Sequence, residues 1–112
     1  MKSLLIALAL TASVTAQAES CQSKINELVI TSKALGTFSA LVHENDRNIK
    51  AYEQNLRAME RFGLEVADGF SRPSIEALLE GRKRSNKQLK QNIVSYEERL
   101  YGLKKDVRDF CR

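Results

Sequence analysis

Tryptophan is absent from the 112 residues, proline and histidine occur once each, and cysteine occurs twice. A structural zinc site needs four ligands, and a nucleophile–base triad needs an imidazole flanked by both partners. His43 stands alone and the cysteines lie far apart, so neither chemistry is expected and no metal or cofactor is predicted. The five glycines are scattered singly at 36, 63, 69, 81 and 102, which leaves no glycine-rich phosphate loop. So little glycine and proline also disfavours a small β-barrel. Long apolar runs are missing too. The clearest, Leu4–Leu10, falls well short of the roughly twenty residues that span a bilayer.

What remains is helical, globular composition. At 43% hydrophobic and 29% charged, the chain is too apolar for disorder. Its first eighteen residues read as a secretory signal peptide: Lys2 as the positive start, LLIALAL as the apolar segment, and Ala16-Gln17-Ala18 as a small-x-small cleavage site. Residues 19–112 are then predicted to form a single helical domain in the periplasm or outside the cell, with no membrane span once the leader is cut.

In such an oxidising compartment an isolated pair of cysteines is expected to bond. Cys21 and Cys111 would close nearly the whole mature chain, a loop whose cross-link contributes about 4–5 kcal/mol on chain-entropy grounds. The bond also demands that the two ends meet within about 6 Å between Cα atoms. An even number of helices satisfies this, and an up–down–up arrangement of three does not.

The apolar period agrees. Ile25, Leu28, Ser32, Leu35, Ser39 and Val42 recur at steps of three and four; Ile49, Tyr52, Leu56 and Met59 continue, with Phe62 and Val66 trailing. The second half repeats the pattern at Ile75, Leu78, Leu89, Ile93, Tyr96, Leu100, Leu103, Val107 and Phe110. Gly63 to Pro73 between them carries turn and helix-start chemistry, with Ser71 placed to cap. The predicted fold is all-α: a long antiparallel helical hairpin whose ends are joined by the disulfide. Polar stretches at 43–48 and 81–86 leave open a bend into a four-helix bundle. The thin stripe on each helix leaves open pairing of two hairpins as a homodimer.

Charge is uneven. Residues 19–70 carry 6 basic and 8 acidic side chains, whereas residues 71–112 carry 11 and 6. Arg82, Lys83, Arg84, Lys87 and Lys90 form a run without an intervening acid, and together with Phe70 they are the candidate partner-binding residues. The tip residues Glu65, Asp68, Phe70 and Arg72 are a candidate contact edge. Glu97, Glu98, Asp106 and Asp109 read as solvated carboxylates rather than acid–base pairs, and no aromatic interleaves the basic run as nucleic-acid stacking requires. The expectation is a non-enzymatic binding protein for a protein partner, of inhibitor or immunity type. The alternatives are a structural adaptor of an envelope secretion or conjugation apparatus and a periplasmic holdase chaperone.

Overall fold

In the computed structural model two long helices, α1 (Lys2–Phe62) and α2 (Arg72–Phe110), form a helical hairpin whose ends are linked by the Cys21–Cys111 disulfide. Residues 20–67 and 69–111 are described; the expected leader, residues 1–18, lies outside them, as does Asp68. The cysteine Cα atoms are 5.4 Å apart across a sequence separation of 90, as the ruler argument requires. Both polar stretches, 43–48 and 81–86, stay inside continuous α-helix, so the four-helix alternative is not adopted. Neither stretch contains proline and only the second contains a glycine, and the Glu80–Arg84 pair closes at 3.9 Å across one turn. Among the described residues no helix is long and apolar enough to cross a membrane.

The turn is built from backbone chemistry. Gly63 takes φ 68, a conformation side chains resist; its N–H donates to the Glu60 carbonyl at 3.3 Å and that of Leu64 to the Met59 carbonyl at 2.8 Å. This is the Schellman ending of a helix. A miniature antiparallel ladder follows, β1 (Val66–Ala67) and β2 (Phe70–Ser71), with Gly69 at φ 80 between them. Asp68-Gly69 is the sequence signal for so tight a connection, although the periodicity alone pointed only to a turn. Ser71 then caps α2: its Oγ accepts the Ser74 N–H at 3.4 Å and lies 2.9 Å from the Ser74 hydroxyl.

The chain divides into two compact units, residues 1–35 with 95–112 and residues 36–94. In the first, Lys24, Leu28, Thr31 and Leu35 on α1 and Tyr96, Leu100, Leu103 and Val107 on α2 are the half-buried and buried positions that follow one repeat, with Cys21, Ile25, Ala34, Gly102 and Asp106 half-buried beside it. In the second they are Phe38, Val42, Asn45, Ile49, Tyr52, Leu56 and Met59, with Ile75, Leu79, Arg82, Asn86, Leu89 and Ile93. Within each unit these steps alternate strictly between three and four, the coiled-coil repeat. The expected stripe therefore needs correction. Thr31 and Phe38 replace Ser32 and Ser39, Leu79 replaces Leu78, and Phe62, Val66 and Phe110 are exposed. Stepping three then four from Leu28, rather than four then three, puts the Phe38 ring inside and leaves both serines to water.

The seam does not fade at its polar centre but changes chemistry. Alongside the buried Met59, Ile75 and Leu103, the polar Thr31, Asn45 and Asn86 are buried just as fully.

Candidate functional site

Within residues 36–94, Asn45 is held from both sides. Its Nδ2 donates to Ser85 Oγ at 3.3 Å, and its Oδ1 accepts from Arg82 Nη1 at 3.0 Å. Asn86 Nδ2 donates to Asp46 Oδ1 at 2.7 Å, a short bond to a charged acceptor. A buried amide left unpaired costs about 1–3 kcal/mol, so these bonds hold one register: a slip of one residue would orphan both asparagines.

The basic run accordingly splits by partner. Arg82 is spent on Asn45, Lys83 approaches Glu53 at 3.7 Å, and Arg84 is exposed beside Glu80 on its own helix. Lys87 and Lys90 are exposed and, among the described residues, carry no ion pair. A polar layer forms here because Asn45, Arg82 and Asn86 are in seam phase, with the exposed Asp46 and Ser85 reached from beside it. Lys87 and Lys90 line a shallow hollow of about 360 Å³ together with Asp46, Ile49, Lys83 and Asn86.

Arg72, the first residue of α2, latches the turn. Its backbone N–H donates to the Glu65 carbonyl at 2.8 Å and its Nη2 to the Leu64 carbonyl at 3.3 Å. Nε stands 3.7 Å from the Glu65 carboxylate and Nη1 4.0 Å from that of Glu60. Arg72 thus ties the start of α2 to the turn, although its Nε makes no hydrogen bond among the described residues. What the turn does present is apolar: Phe62 is 69% exposed, Leu64 47%, Val66 57% and Phe70 52%. Nine consecutive residues hold four large apolar side chains in water, with Arg61 stacked 5.9 Å over the Phe62 ring. Phe70 belongs to this tip. Arg82 lies ten residues beyond Arg72, about 15 Å along the helix, so the tip and the basic run are separate features.

The single histidine stands exposed in mid-helix, on the rim of a shallow hollow with Ala40 and Arg47, where it caps nothing. Asp106 pairs with Lys24 at 3.0 Å and Asp109 with Arg108 at 3.7 Å. Among the described residues no group of three or more His, Cys, Asp or Glu side chains is placed to hold a metal.

Sequence reasoning passed over Asn45, Asn86, Leu64 and the latch of Arg72. For the asparagines the signal was present, since both fall on the repeat once its phase is fixed by Leu56, Met59, Leu89 and Ile93. Comparison with known proteins found no matching family model, no matching curated protein and no matching solved structure.

Proposed function

We propose that this chain is a small exported, non-enzymatic binding protein of inhibitor or immunity type, which occludes a groove on a partner protein with its turn end. Residues 1–18 would route it to the periplasm or beyond, and the Cys21–Cys111 bond suits the oxidising conditions there. The observation that carries the reading is the tip: Phe62, Leu64, Val66 and Phe70 exposed together on a turn fixed by two positive-φ glycines and Arg72. A rigid apolar wedge loses little conformational entropy on insertion, and clustered aromatic anchors dominate interface energetics. Lys87 and Lys90 would steer an acidic partner, affecting association rate more than affinity.

The test is retention of a partner from periplasmic extract of the source cells by the oxidised mature protein. A stoichiometric complex is expected, and Val66→Ser with Phe70→Ser should weaken it about a hundredfold, as loss of two anchors implies. Both substitutions are at exposed positions, so the melting temperature should hold. Undiminished retention by the double variant would remove the tip from the interface.

A further inference from the structure

Within residues 36–94 the two sides of the seam differ in charge. Lys83 approaches Glu53 at 3.7 Å along one side, where Asp46, Lys50, Lys87 and Lys90 also stand. The opposite side is nearly neutral. There α1 presents Leu41, Asn48, Ala51, Asn55 and Ala58, with Glu44 as its one ionisable residue. On the same side α2 adds Leu78, Ser85, Gln88 and Asn92. Leu41 is 42% exposed and Leu78 40%, while Asn48, Asn55 and Asn92 are half-buried beside the seam. In a chain that is 29% charged, solvent exposure alone gives no reason for one long face to be so poor in charge.

We propose that this neutral face binds a second copy of the chain, so that two hairpins join into a four-helix dimer. A two-fold interface sets the same patch of each subunit against itself, and like charges then meet. The lysine-bearing side would repel its own copy, whereas the neutral side carries no such penalty. An amide holds a donor and an acceptor together, so Asn48, Asn55 and Asn92 are complementary to amides of the same face on the second copy. Ala51 and Ala58 let the facing helices approach to about 8–10 Å, and Leu41 and Leu78 lose their remaining contact with water. The area also suffices. From residue 37 to 58 the face runs about 33 Å at about 1.5 Å per residue, and two packed helices are about 20 Å across. That is about 650 Å² on each partner, or about 1,300 Å² in all, within the roughly 1,200–2,000 Å² of specific interfaces. The face lies on the flank of the helices rather than at the turn, so the tip stays open to its own partner.

The experiment is sedimentation equilibrium of the oxidised mature protein over a wide range of concentration. A reversible dimer is expected, and added salt should not weaken it, because no ion pair holds the face together. Ala51→Glu with Gln88→Glu sets carboxylates against one another across the two-fold and should weaken dimerisation at least about a hundredfold. Gln54→Glu with Gln91→Glu adds the same charge on the outer surface and should leave the dimer intact. All four positions are exposed, so the helicity of both variants by circular dichroism should match that of the parent. A dimer untouched by Ala51→Glu with Gln88→Glu, or weakened equally by both pairs, overturns the proposal. A monomer at every concentration overturns it too; if that monomer retains a periplasmic partner that the Ala51→Glu, Gln88→Glu variant loses, the face belongs to a different protein.

Discussion

The cysteine end of the hairpin and the turn end close a helix pair by different means. Around Cys21 and Cys111 the buried residues are Thr31 and Leu103, with flanking charge pairs Lys24–Asp106 at 3.0 Å and Glu27–Arg99 at 3.7 Å. Partly exposed pairs of this kind contribute about 0–1 kcal/mol each, so the covalent bond is the main restraint there. Around the turn, Met59 and Ile75 are buried, the backbone is fixed by a Schellman ending, a short ladder and a serine cap, and Asn45 and Asn86 hold the register. A thin seam can therefore be closed by a cross-link or by local chemistry, and this molecule uses one at each end. The end that closes itself is also the end that exposes Phe62, Leu64, Val66 and Phe70.

Perturbations of each end sharpen that contrast. The largest effect is expected from Cys21→Ser with Cys111→Ser, a loss of about 4–5 kcal/mol for a loop of this length, read from urea denaturation. Dithiothreitol on the native protein should reproduce it. Next comes Met59→Ala at the turn end, where emptying a fully buried site costs about 2–5 kcal/mol. Its cost should be similar in oxidised and reduced protein if the ends are stabilised independently; a marked difference would show them coupled.

Asn45→Ala strips both Ser85 and Arg82 of a partner, and about 1–3 kcal/mol of destabilisation is expected from chemical denaturation. The smallest change has the opposite sign. Gly81 lies mid-helix with open space where a Cβ would go, so Gly81→Ala should stabilise by about 0.5–1 kcal/mol, seen as a higher melting temperature.

Much of this fold was legible because its constraints are long-range and few. Two cysteines, one turn with two glycines and a 3–4 repeat leave a hairpin, either straight or bent into four helices. The phase of the repeat was harder. From Leu28 to Val42 the paths through Ser32 and Ser39 or through Thr31 and Phe38 both alternate correctly, and only packing selects the second. Asn45 and Asn86 escaped because polar residues in a charged stretch look solvated until a facing helix supplies their partners. Phe62 and Val66 looked like seam residues because their spacing is right. The helix ends at Phe62, however, and beyond that point helical spacing no longer determines which side a residue faces. The exposed tip is visible only once the turn geometry is known, whereas Phe70 stands out in the sequence as the one aromatic of the expected loop tip.

Amide hydrogen exchange, measured residue by residue on oxidised and reduced protein side by side, tests most directly whether the turn end stands on its own. Reduction should strip protection from residues 20–35 and 95–111 while residues 52–62 and 70–79 keep most of theirs. A uniform loss of protection along both helices, or an unchanged cysteine end, would contradict the account.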